Sequence, residues 1–219
     1  MIGIIDYGMG NLHSVSKALE RLGYDYVLSG HSSDLKAANG LILPGVGAFK
    51  DAVTALRESG LFDFVNTSVN EGKPLLGICL GMQLLFEESD EHGHAEGFGF
   101  LKGRAERFPG VSAQGERYKV PHMGWNRLTF HKPDSVLLKG LEEDYVYFVH
   151  SYVIKTDDEE LVLASADYYG QVPAVVGKGH VFGTQFHPEK SGKTGLTILN
   201  NYLALAMGEN NGVYNLSGD

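Results

Sequence analysis

Lys73-Pro74-Leu75-Leu76-Gly77-Ile78-Cys79-Leu80-Gly81-Met82-Gln83 is the stretch on which the reading of this chain turns. Its apolar run Leu75-Leu76-Gly77-Ile78 predicts a buried strand that ends at Cys79. The following Met82-Gln83-Leu84-Leu85-Phe86-Glu87-Glu88 has the composition of a helix. Gly77-x-Cys79-x-Gly81 matches the elbow frame G-x-S-x-G with sulfur in place of the serine oxygen. A strand that reverses directly into a helix crowds the backbone around the central residue, and glycine on both sides relieves that crowding. A thiol on such a turn lies beside N–H groups at a helix N-terminus, where the dipole favours thiolate. A free cysteine is more often a small buried hydrophobe, so the frame alone does not decide the matter.

The rest of the chain limits the possibilities. Its 219 residues suffice for one domain with a substantial core, and 43% apolar with 21% charged residues is an ordinary globular composition. A net charge of −9, with no dense Lys/Arg run, argues against a nucleic-acid surface. A single cysteine cannot close an intrachain disulfide. With no signal peptide and no long apolar span, a cytoplasmic protein and no membrane contact are expected. Neither C-x-x-C nor H-E-x-x-H occurs and the nine histidines are scattered, so no metal and no cofactor are expected.

In chain order, Ile2–Ile5 reads as a buried strand and Leu12–Leu22 as a helix with its apolar face at Leu12, Val15, Leu19 and Leu22, stopped by Gly23. Tyr24–Leu28 and Leu41–Leu43 read as strands, and Val53–Leu61 as a helix. This alternation predicts an α/β fold: a mostly parallel central sheet with helices on both faces. Functional groups then gather beyond the C-terminal ends of Ile5, Leu43 and Ile78. Gly8-x-Gly10 after the first strand is a poor dinucleotide fingerprint, because the third glycine position is His13. Pro44-Gly45-Val46-Gly47 could present backbone N–H groups to a ligand, or be an ordinary loop.

Past Asp90 the pattern changes, with short β-like runs at Gly99–Leu101, Ala105–Phe108, Tyr145–Val149, Leu161–Ala164, Ala174–Val176 and His180–Phe186. The second half is therefore strand-rich, closed by a helix over Thr194–Met207. Residues 1–207 are expected to form a single domain and 208–219 a loose tail. A nucleophile at Cys79 needs a base, and His150 and His187 stand at strand ends. His187-Pro188-Glu189 is the better placed of the two: Pro188 excludes helix locally and biases the segment to an extended conformation, in which residues two apart project to the same side, so Glu189 could fix the His187 tautomer.

The pair of motifs, Gly77–Gln83 and His187-Pro188-Glu189, resembles the class I (triad-type) glutamine amidotransferases. Further likeness to one branch of that family lies in Ile5–Leu12, Pro44–Gly47, Pro121–Asn126 and Phe148–Tyr152, and covers nearly the whole chain to Met207. The resemblance implies a Cys79–His187–Glu189 triad acting on glutamine. It implies an oxyanion site from Leu80 N–H and from Gly45 or Val46, and a substrate cradle from Gln83, Glu91 and the Ser151-Tyr152 backbone. It also implies a heterodimer with a separate (β/α)8 cyclase that takes up the ammonia, with Trp125, Tyr147 and Lys190 at the interface. Core packing is the other reading for Trp125. Other roles are a glutaminase serving a different synthase, a non-catalytic binding subunit, or a cysteine hydrolase of peptides.

Overall fold

A computed structural model of the chain describes residues 1–209. The strands of its main sheet are β1 (Ile2–Ile5), β2 (Tyr26–Ser29), β3 (Gly40–Gly45), β4 (Leu75–Cys79), β9 (Thr129–Phe130), β12 (Val162–Asp167), β13 (Gln171–Lys178) and β14 (Val181–Thr184). Across the sheet these eight run in the order β2-β1-β3-β4-β14-β13-β12-β9. The pairs from β2 through β14 are parallel and those from β14 to β9 antiparallel. Every residue of β1, β3 and β4 is buried, as parallel strands covered on both faces require.

The strand period of two divides the core. Ile2, Ile4, Ile42, Leu76 and Ile78 pack against α1 (Leu12–Leu22) and α6 (Gly192–Met207). Ile5, Leu41, Leu43 and Leu75 face the other way, onto α2 (Ser32–Leu35), α3 (Phe49–Glu58) and α4 (Leu61–Asn70). The fully buried Tyr202 ties α6 to the sheet: its hydroxyl donates to the Leu41 and Pro74 carbonyls at 2.6 and 3.0 Å.

Two smaller sheets flank this core. One is a ribbon of β8 (His122–Arg127) and β10 (Tyr145–His150), antiparallel, with His122 opposite His150 and Trp125 opposite Tyr147. The other joins β11 (Tyr152–Lys155), β7 (Arg104–Arg107), β5 (Glu88–Ser89) and β6 (Ala95–Glu96).

Three expectations need correction. The helix expected over Met82–Glu88 is a single turn, α5 (Leu80–Gln83). Residues 97–101 fold over the segment after that turn. Phe98, Leu101 and Gly99 N–H groups bond the Leu84, Leu85 and Phe86 carbonyls at 2.8 to 3.1 Å, so Gly99–Leu101 is a loop and not a strand. The one helix expected over Val53–Leu61 is two, α3 and α4, broken where Gly60 takes a left-handed φ of 73°. Glu209 ends the described residues, so most of the expected tail, 208–219, lies outside them.

Candidate active site

β4 runs between β3 and β14, parallel to both, and its last residue is Cys79. Gly45 pairs with Cys79 in register on one side. On the other side Thr184 pairs with Ile78, and the chain continues through Gln185 and Phe186 to His187. The sheet thus brings the oxyanion candidates, the thiol and the imidazole to one edge, although far apart in sequence.

Cys79 holds φ 56° and ψ −111°, a left-handed backbone that a non-glycine residue adopts only under constraint, at about 1–3 kcal/mol. The flanking glycines are required by contact. A Cβ at Gly81 would lie 1.8 Å from the Leu43 carbonyl oxygen, and one at Gly77 2.5 Å from the Gly81 oxygen. The sulfur is largely buried. It lies 3.9 Å from both the Val149 carbonyl oxygen and the Gln185 amide nitrogen.

His187 is extended, as a residue before proline should be. The next residues differ from expectation, because Pro188–Lys190 is a 3-10 turn, and this turn brings Glu189 to the ring. The imidazole Nδ1 lies 2.9 Å from Glu189 Oε1, with both side chains almost wholly buried. That fixes Nδ1 as the donor to a carboxylate and leaves Nε2 for Cys79. Burial pulls the His187 pKa down, but hydrogen bonds to Cys79 and Glu189, together with their charges, outweigh it and raise the value to about 9. The His187 backbone is clamped too. Its N–H donates to the Tyr147 carbonyl at 3.2 Å, and its carbonyl accepts from the Ser191 hydroxyl at 2.7 Å.

A cleft of about 320 Å³ opens over the sulfur, bordered by Val46, Leu80, Gln83, Glu91, His187 and the Val149–Tyr152 segment. The expected substrate residues all border it, though several already have partners. Gln83 Nε2 donates to the Tyr152 carbonyl at 3.2 Å and to Gln185 Oε1 at 3.1 Å. Glu91 Oε2 accepts from Phe49 N–H at 2.8 Å, capping α3 from a distance, and burial raises its pKa. The Ser151 carbonyl accepts from Phe108 N–H at 3.0 Å.

Three residues at the site were not read from the sequence. Tyr7 is buried, its hydroxyl finds no partner among the described residues, and a Cβ at Gly45 would lie 2.5 Å from it. Burial and then the charge of Cys79 raise its pKa far above the phenol range. Gln185 is fully buried between Gln83 and Cys79. His122 forms a buried pair with His150. A polar residue inside the apolar run Val181–Phe186 was the only available signal for Gln185.

The expected interface residues are at the surface. Trp125 is 57% exposed, so core packing is excluded, and its ring meets Tyr147 edge-on at 6.0 Å. Lys190 is exposed beside the triad. Among the described residues no cluster of three or more His, Cys, Asp or Glu could hold a metal ion, and no helix is long and apolar enough to cross a membrane.

The chain belongs to the class I glutamine amidotransferases, whose family model matches residues 3–205. Within them its near relatives are imidazole glycerol phosphate synthase HisH subunits. It is 66% identical over 212 residues to imidazole glycerol phosphate synthase subunit HisH of Geobacillus kaustophilus, covering 97% of this chain and 100% of that one. To the same-named subunit of Bacillus subtilis it is 57% identical over 206 residues, covering 94% and 97%. A solved structure titled as a glutamine amidotransferase superposes with a TM-score of 0.73 at 26% identity, covering 94% of this chain and 98% of that one. The family and fold expected from the two motifs are borne out.

Proposed function

We propose that this chain hydrolyses glutamine to glutamate and ammonia and passes the ammonia to a separate cyclase subunit, serving histidine biosynthesis as the glutaminase of imidazole glycerol phosphate synthase. The observation that carries this is the alignment on one sheet edge of Cys79, His187 and Glu189, with Glu189 on Nδ1 and Cys79 left to Nε2. The Cys79 thiolate attacks the side-chain amide carbon of glutamine. Negative charge develops on the amide oxygen, and Leu80 N–H with a backbone N–H at Gly45 or Val46 stabilises it. The His187 imidazolium donates its Nε2 proton to the departing amine as the C–N bond breaks, leaving a γ-glutamyl thioester. Neutral His187 then takes a proton from water, whose oxygen attacks the thioester, releasing glutamate and restoring the thiolate. Gln83, Glu91, Ser151 and Tyr152 hold the substrate.

Ammonia released into water is protonated and loses its nucleophilicity, so a closed path to the acceptor is required. The ribbon supports docking beside the site. Met123, Trp125 and Tyr145 are 62%, 57% and 54% exposed on its outward face, with Tyr147 between them and Lys190 nearby. A (β/α)8 cyclase seated there would make a heterodimer in the cytoplasm, with no nucleic acid or membrane involved. The test is Cys79→Ala in the reconstituted complex. Glutamine-dependent synthesis should vanish while ammonia-dependent synthesis remains within about twofold; loss of both would assign Cys79 a structural role.

A further inference from the structure

Two buried imidazoles stand beside the triad without belonging to it. His122 and His150 are 2% and 6% exposed and face each other at one end of the β8–β10 ribbon. His122 Nδ1 lies 2.9 Å from His150 Nε2, and His150 Nδ1 lies 2.8 Å from the Tyr152 carbonyl oxygen. Beyond His122, Asn126 Nδ2 lies 3.2 Å from its Nε2 and donates to the Asp167 carbonyl at 2.8 Å. The His122 ring is stacked between Phe148 and Tyr168, with centroids at 4.5 and 4.1 Å.

Only one arrangement of protons satisfies these contacts. A carbonyl can only accept, so His150 carries its proton on Nδ1 and accepts on Nε2. His122 must then donate from Nδ1 and accept from Asn126 on Nε2. Both rings are neutral in this arrangement, in keeping with burial, which pushes His150 down to about 3 and His122 to about 4. At its far end the same Tyr152 carbonyl accepts from Gln83, which donates to Gln185, whose amide nitrogen in turn faces Cys79. β8 alternates sides, so its inward residues His122 and Asn126 are interleaved with the outward Met123 and Trp125.

We infer that His122 and His150 are positioning residues for glutamine hydrolysis, a directed hydrogen-bond line that fixes the Tyr152 carbonyl and Gln83 in the cradle and ties them to the docking ribbon. This rests on the proposed glutaminase reading for what occupies the cleft and what seats on the ribbon. The line acts through Tyr152 and Gln83, so its loss changes substrate affinity and leaves the reactivity of the sulfur intact.

The experiment uses the complex of the full chain with the cyclase and its nucleotide. If wild type turns over no glutamine, the glutaminase reading itself fails before any variant is compared. Given wild-type turnover, His150→Leu should raise KM for glutamine about tenfold, the effect of one lost hydrogen bond. Iodoacetamide alkylation of Cys79, which needs no cradle, should stay within about twofold. His150→Asn, whose amide N–H occupies the position of Nδ1–H, should restore most of the affinity. An unchanged KM in the leucine variant, or no rescue by asparagine, overturns the inference. Should the leucine variant not fold, ¹⁵N NMR of wild type decides. The Nδ1-protonated neutral tautomer at both His122 and His150 supports the line, and the opposite tautomer at either ring overturns it.

Discussion

Replacing Glu189 with glutamine keeps the size of the side chain and removes its charge, which isolates what the carboxylate does for His187. Glu189 Oε1 accepts from Nδ1 at 2.9 Å, while Oε2 is buried with no partner among the described residues. No second contact therefore dictates which way the new amide turns. With its oxygen toward Nδ1, the pair falls from a charged to a neutral hydrogen bond, a loss of about 1–2 kcal/mol or roughly 5- to 30-fold in rate. With its nitrogen toward Nδ1, the imidazole tautomer is inverted and the deficit grows to the order of 10⁴ seen when another triad is so altered. The pH profile separates charge from packing. His187 holds its proton up to about pH 9, because contacts with Cys79 and Glu189 overcome burial. A raised pKa means the acid is present below that value and lost above it, so glutamine turnover should decline as pH rises through about 9. Glu189→Gln withdraws one of the two stabilising partners, and the alkaline decline should begin roughly one unit lower, as about 1.4 kcal/mol per unit dictates. The assay is glutamate release by the activated complex between pH 6 and 10, with thermal melting to confirm the fold. An unchanged rate and an unmoved alkaline limb would refute the assignment of Glu189 to the imidazole.

Contacts at the elbow and the sheet edge set two further outcomes. Gly81→Ala places a methyl 1.8 Å from the Leu43 oxygen, so the elbow cannot form as it stands. The variant should lose more than about 4 kcal/mol in chemical denaturation, and a loss under about 1 kcal/mol would show that the turn can relax. Tyr7→Phe removes a buried hydroxyl that has no partner among the described residues, and should stabilise the chain by about 1 kcal/mol, raising Tm by about 2–4 °C. A lower melting temperature would mean that the hydroxyl is satisfied in solution.

Legibility in the sequence depended on the range of the interactions involved. β1 and α1 were read to the residue, because an apolar run and a 3.6-residue periodicity closed by Gly23 are local signals. The meeting of Cys79 with His187 and Glu189 was legible because the two motifs are short and chemically rare, and the parallel sheet then gave them a common edge. The short α5 was not, since Leu84, Leu85 and Phe86 look helical until residues 97–101 arrive to take their carbonyls. The ribbon strand β8 was missed because Gly124 interrupts it and its alternation mixes histidine with tryptophan. Tyr7, Gln185 and His122 acquire their places only through partners far along the chain, which no window of a dozen residues contains.

The position of β14 in the sheet has a consequence for synthesis. It is laid down after the other strands of the main sheet, yet it inserts beside β4 and brings the imidazole with it. A nascent or truncated chain that stops short of residue 187 has the thiol but no base to act with it. On the proposed mechanism such a fragment cannot hydrolyse glutamine.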